Sequence, residues 1–153
     1  MLGARWDEFD LDEAVWTVPA ARMKAGREHR VPLSSRALRI AKVMHEVRNG
    51  EFVFQGQKAG RPLAAVALET VLRRMKVEKA TVHGFRSSFR DWSAECTNVP
   101  NEVCEAALAH AIESKAEAAY RRGDLFDKRR KLMEAWAGYC AASKAGKVVV
   151  FRR

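Results

Sequence analysis

Phe85, Phe89, Trp92 and Cys96 follow one another at spacings of four, three and four. Residues so spaced share one face of an α-helix, whereas a strand would scatter them over both of its faces. The stretch therefore predicts a helix with an apolar stripe that needs a partner. The same periodicity returns three times. Ala37, Ile40, Ala41, Met44 and Val47 predict a helix capped by Ser34-Ser35 and stopped by Asn49-Gly50. Leu68, Val71, Leu72 and Met75 predict another over 63–76. Leu125, Leu132, Met133, Trp136, Ala137 and Cys140 predict a last helix, opened by Asp124, with Lys128, Arg129, Arg130 and Lys131 crowding its first turns. Asn98 and Pro100 end the aromatic helix, and Asn101 is placed to cap a short one through Ala109 that His110 closes.

Two segments follow a different rule. Residues 14–18 (Ala-Val-Trp-Thr-Val) are rich in β-branched residues and read as a strand, and 28–33 reads as its partner, with Pro32 at its end. Between them Arg22-Met23-Lys24-Ala25-Gly26-Arg27 is a basic turn, with Gly26 available for a positive φ. Asp7–Asp12 reads as a turn into a strand, and 52–54 as a short buried run. The fold class is therefore mainly α with a small antiparallel β-sheet (α+β). A chain of 153 residues suits one domain with a sizeable core. The sequence has no apolar run of about 18 residues and no signal peptide, so a cytoplasmic protein with no membrane partner is expected. Cys96, Cys104 and Cys140 lack Cys-x-x-Cys spacing and sit in apolar helical patterns, as reduced core thiols do.

Packing explains the aromatic stripe but not the residues that open its helix. His83 and Arg86 stand one turn apart, behind a Thr81 whose hydroxyl can accept a free backbone N–H. An imidazole, a guanidinium and the positive end of a helix dipole at one point form a site for an anion, of which phosphate is the usual one. The net charge of +9 and pI of about 9.9 point to a polyanionic partner on a larger scale. His45, beside its helix's apolar stripe, is an ordinary boundary histidine. His29 is no catalyst, although it is placed to touch phosphate. There is no carboxylate cluster with metal-ligand spacing and no serine in a nucleophile setting.

His83-Gly84-Phe85-Arg86, then Leu108-Ala109-His110, then Ala119-Tyr120-Arg121-Arg122 form an ordered set. With Leu2-Gly3-Ala4-Arg5-Trp6, the basic hairpin with Val31-Pro32-Leu33, and Trp136, it resembles the catalytic domain of the tyrosine recombinases, prophage integrases above all. The resemblance implies cleavage and rejoining of double-stranded DNA at attachment sites through a 3′-phosphotyrosyl bond, without metal or cofactor. Tyr120 would be the nucleophile, His83 its acid–base helper, and Arg86 and His110 the ligands of the phosphate oxygens. Lys24, on the hairpin, would protonate the leaving 5′ oxygen. Arg22, Arg27, Arg30, Arg90 and Arg121 are the further cations expected to meet DNA, with Arg73 and Arg74 on a helix near it.

In the family a first catalytic Arg lies upstream of the Leu-Gly-x-Arg-Trp equivalent, and Arg5 matches a later, structural Arg. A catalytic domain over 1–143 that lacks its start, with a tail over 144–153, is therefore expected, as a fragment of a longer integrase with weak activity alone. The relatives act as tetramers on DNA, and the β-prone tail suits protein–protein contact. Ala109 replaces a commoner Gly. A non-catalytic DNA-binding remnant and a topoisomerase of type IB, which shares the same side chains, are the alternatives.

Overall fold

The computed structural model describes residues 2–58, 60–77, 80–110 and 123–142. Three strands, Phe9–Asp10 (β1), Val15–Val18 (β2) and His29–Pro32 (β3), form an antiparallel sheet in the order β1-β2-β3. β2 and β3 pair from Val15↔Pro32 to Val18↔His29, so the basic turn projects from one end of the sheet. β1, the strand expected after Asp7, is only two residues long. It pairs Phe9 with Trp16, and the two rings stack with centroids 5.4 Å apart. The Asp10 carboxylate accepts the Asp12 and Glu13 N–H groups and turns the chain back into β2.

Five helices are described: Ser35–Glu46 (α1), Val66–Arg74 (α2), Gly84–Cys96 (α3), Asn101–Ala107 (α4) and Phe126–Ala142 (α5). The Ser34 hydroxyl caps α1 by accepting the Ala37 N–H at 3.3 Å. Glu134 of α5 takes the Ser35 N–H and hydroxyl at 2.8 and 3.1 Å, which ties α5 to the start of α1. Asp124 opens α5 by accepting the Phe126 N–H at 3.1 Å. Asn101 makes no cap, because Pro100 holds the cap position of α4.

The main core lies where α3, α4 and α5 meet. Phe89, Trp92, Val103, Cys104 and Leu132 are buried there, with Trp136, Met133 and Leu108 packed against them. Trp136 meets Phe89 edge-on at 5.6 Å and Trp92 at 5.0 Å, geometries that add to the burial of the rings. A second apolar region, with Ala4, Val15, Val18, Ala41 and Val53 buried, joins the sheet to α1 and the chain's first residues. Val53 donates to the Ala4 carbonyl and Trp6 to that of Glu51. Arg5 pairs with Glu51 at 2.6 Å, a structural use. His45 packs edge-on against Trp6 at 4.9 Å.

The apolar stripes are wider than the faces that get covered. Phe85, Ile40, Val47, Val71 and Met75 were expected inside, yet each is about half exposed or more. Periodicity groups residues on one face but does not supply a neighbour to cover it, and Phe85 stands in the first turn of α3, ahead of the buried Phe89 and Trp92. For the same reason Cys96 and Cys140 are exposed, and only Cys104 is a core thiol. Arg129, expected among surface cations, is the largest fully buried side chain among the described residues, at 1 % exposure.

Candidate active site

At the start of α3 the Thr81 hydroxyl accepts the Gly84 N–H at 3.0 Å, the cap its position suggested. His83 lies just ahead of the helix, exposed, and its carbonyl accepts the Arg86 N–H at 3.1 Å. One turn further on, Arg90 shares the exposed surface with Arg86.

The end of α4 meets these cations. His110 donates its backbone N–H to the Glu105 carbonyl at 3.0 Å, and Ala109 donates to Ala106 at 3.2 Å. Paired bonds of this kind close a helix only when the residue between them is left-handed, and Ala109 has φ +54°. That geometry explains why glycine is the natural occupant and why His110 turns back beside the last turn of α4. Its ring Nδ1 contacts the Glu105 carboxylate. Its Nε2 faces the Arg86 Nε–H at 3.2 Å, and the same guanidinium donates to the Leu108 carbonyl at 2.5 Å.

These partners select one imidazole tautomer. Arg86 can only donate, so Nε2 must accept; the proton then sits on Nδ1, where the carboxylate accepts it. Arg90 closes the cluster with its Nε 2.9 Å from the other Glu105 oxygen, an ion pair not aligned as a hydrogen bond. The His110 hydrogen bond holds the Glu105 carboxyl below its usual range, against the desolvation that opposes it, and the Arg90 charge adds to the effect. Glu105 is thus an anion set among cations.

The hairpin is fastened to the same helices. The His29 ring lies against the Ala107 backbone, and burial, with the Arg129 charge second, lowers its pKa. Arg129 reaches from α5 to the Arg30 carbonyl at 2.6 Å, and holds the Asp124 carbonyl at 2.7 Å and carboxylate at 2.8 Å. Burial depresses its pKa, and the Asp124 charge opposes that. Arg30 lies over the Phe126 ring at 4.2 Å and 3.8 Å from Asp124. Lys24 and Arg27 are exposed on the turn before β3. Arg22 instead folds back onto Glu8 and the Gly3 carbonyl.

The structure thus gathers Arg86, Arg90 and His110 into one contact network, leaves His83, Lys24 and Arg27 on the surface, and engages Arg22 and Arg30 within the chain. Tyr120 and Arg121 lie outside the described residues, as does the tail over 144–153. Glu105 escaped the sequence reading. Its only signal was an acid five residues ahead of His110, where it would have to reach across a helix end. A cavity of about 300 Å³ between the sheet and α1 is lined by apolar residues such as Phe9, Trp16, Ile40 and Met44. None of the candidate residues lines it. Among the described residues no group of three His, Cys, Asp or Glu could hold a metal, and no helix is long and apolar enough to cross a membrane.

A model of the phage integrase family matches residues 1–125. The chain is 37% identical over 150 residues to the prophage integrase IntA of Escherichia coli K12, covering 96% of this chain and 36% of that protein. It is 31% identical over 154 residues to the integrase of Enterobacteria phage P4, covering 89% and 35%, and 32% identical over 145 residues to the prophage integrase IntZ of E. coli K12, covering 93% and 36%. The chain therefore spans about a third of the length of these relatives. No solved structure matches it. The family match over residues 1–125, with relatives 31–37% identical, shows that the chain belongs to the phage integrase family, the tyrosine recombinases.

Proposed function

We propose that this chain is the catalytic part of a site-specific DNA recombinase, which cuts and rejoins a phosphodiester through a 3′-phosphotyrosyl bond. The observation that carries the reading is the contact between Arg86 and His110. Two groups suited to phosphate, 24 residues apart, meet at 3.2 Å with both side chains exposed. The relatives' names supply the reaction class, and the charge of +9 suits a DNA partner.

In this mechanism the phenol oxygen of Tyr120 attacks phosphorus, and the bond from phosphorus to the 5′ oxygen breaks. A phenol has an ordinary pKa of about 10, so at neutral pH only on the order of one in a thousand is ionised. His83 takes the phenolic proton. Lys24, on its exposed turn, delivers a proton to the departing 5′ oxygen. Arg86 turns its N–H groups from the imidazole to two non-bridging oxygens, a bidentate grip that a lysine could not make. Once Arg86 has turned away, His110 takes a proton from solvent at Nε2 while its Nδ1–H stays on Glu105, and donates a further hydrogen bond to the same oxygens. Rejoining runs the sequence backwards, with a different 5′ hydroxyl as the nucleophile. As in the family, tetramers of the whole protein would bring two sites together.

A duplex nicked close to the cleavage position tests this, because loss of the short 5′ fragment traps the covalent adduct. The adduct should form on Tyr120 and vanish in Tyr120→Phe. Persistence in that variant, or an unchanged yield in Arg86→Ala, would overturn the assignment. Salt-dependent binding with no adduct would leave a DNA-binding remnant, and relaxation of any supercoiled plasmid a topoisomerase.

A further inference from the structure

We propose that Glu105 is a positioning residue of this site, whose carboxylate holds His110 in the Nδ1–H tautomer and so keeps Nε2 turned toward Arg86 and the incoming phosphate. The inference rests on the functional reading for its consequence, but not for its geometry.

Glu105 is badly placed for helix stability. It lies in the last turn of α4, where the negative end of the helix dipole repels a carboxylate. A residue there for the helix's own sake would be neutral or basic. Its surroundings explain its presence. One oxygen contacts the His110 Nδ1 and the other lies 2.9 Å from the Arg90 Nε. The backbone repeats the connection, since the Glu105 carbonyl accepts the His110 N–H at 3.0 Å. Residue 110 is thus held by the two ends of Glu105, its backbone by the carbonyl and its ring by the carboxylate, and the imidazole cannot rotate without breaking the carboxylate contact.

The chemistry follows from the partner at the other ring nitrogen. Without the carboxylate, an exposed imidazole favours the Nε2–H tautomer. Nε2–H would then point at the Arg86 N–H, donor against donor, and the guanidinium would be pushed from its place. With the carboxylate, Nε2 presents its lone pair and Arg86 stays docked between His110 and the Leu108 carbonyl. A fixed second partner that sets the tautomer of a working histidine is a familiar device. Arg90 lies against the other oxygen of the same carboxylate.

Ring-nitrogen NMR of the uniformly ¹⁵N-labelled chain, at neutral pH and without DNA, tests the proposal directly. Backbone spectra confirm that each variant is folded. In the unaltered chain His110 should show a pyrrole-type Nδ1 and a pyridine-type Nε2. In Glu105→Ala the two should exchange character. Glu105→Gln, whose amide oxygen can still accept from Nδ1, should keep the original pattern. Glu105→Asp, one methylene shorter, should shift toward the exchanged pattern and serves if the alanine variant does not fold. An unchanged pattern in folded Glu105→Ala or Glu105→Asp would overturn the proposal, and so would an Nε2–H tautomer in the unaltered chain. If the chain also forms the Tyr120 adduct, Glu105→Ala should slow it at least tenfold with binding unchanged, and Glu105→Gln should restore most of the rate. A chain that forms no adduct but shows the tautomer shift favours the DNA-binding remnant over the recombinase and leaves the positioning role standing.

Discussion

Replacing Arg129 with alanine should cost this domain about 3 kcal/mol. The guanidinium is 1 % exposed and serves three acceptors: the Arg30 carbonyl, the Asp124 carbonyl and the Asp124 carboxylate. Truncation leaves two backbone carbonyls without their donor, and each such loss costs roughly 1–3 kcal/mol. The Asp124 carboxylate is half exposed, so water takes over much of that contact. Against these losses stands relief from burying a charge, which recovers part of the total. About 3 kcal/mol remains, and with a urea slope of about 2 kcal/mol per M the midpoint should fall by about 1.5 M. Arg129→Lys keeps a charge but not the fork that meets three acceptors, so it should lose about half as much. Arg130 is the control, since it is only partly buried, donates to the Glu13 carbonyl and lies 5.0 Å from the Phe126 ring. Arg130→Ala should cost less than about 1 kcal/mol. Urea unfolding followed by tryptophan fluorescence measures all three. A loss below about 1 kcal/mol in Arg129→Ala, or equal losses at 129 and 130, would refute the argument that Arg129 clamps β3 to the start of α5.

Three further outcomes are expected. Ala109→Gly should raise stability by about 0.5–1 kcal/mol in the same urea assay, because φ +54° costs an L-residue and not glycine. Acid should weaken the domain in two stages. His29 has a folded pKa below its ordinary value of 6.5, so the unfolded chain takes its proton first, and stability falls as pH drops from about 7 through the folded value. Glu105 also has a lowered folded pKa, so its contribution is complete above the ordinary carboxylate range and is lost as pH falls through the folded value. A pH series of urea midpoints should lose the first stage in His29→Gln and flatten in the second in Glu105→Gln. Finally, Arg86→Lys should lower the rate of Tyr120 adduct formation on the order of 10²–10³-fold, with duplex binding changed little at fixed salt, because the bidentate grip acts on the transition state.

Helices were legible in this chain because their signal is local. Spacings of three and four mark α1, α3 and α5, Ser34 and Thr81 mark the starts of α1 and α3, and the ordered His83, Arg86, His110 and Tyr120 mark the family. What no local pattern reports is coverage. Phe85 and Val71 carry the same periodicity as Phe89 and Leu72, yet they face solvent, because burial depends on a second element arriving from elsewhere. Cys96 and Cys140 were misplaced for that reason.

The chain's residues by themselves determined which side chains could do the chemistry, since a phosphate site needs cations and those cations are written in order. Only the tertiary structure decided which of them meet. Arg86 reaches His110 because the left-handed turn at Ala109 swings the chain back at the end of α4, and because the buried aromatics hold α3 beside it. Arg129 looked like one of four surface cations and became a buried clamp, because α5 lies across β3. Glu105 looked like any helix acid and became the partner of Arg90 and His110. Charge and identity belong to single residues, whereas distance and desolvation belong to pairs, and pairs exist only in the folded chain.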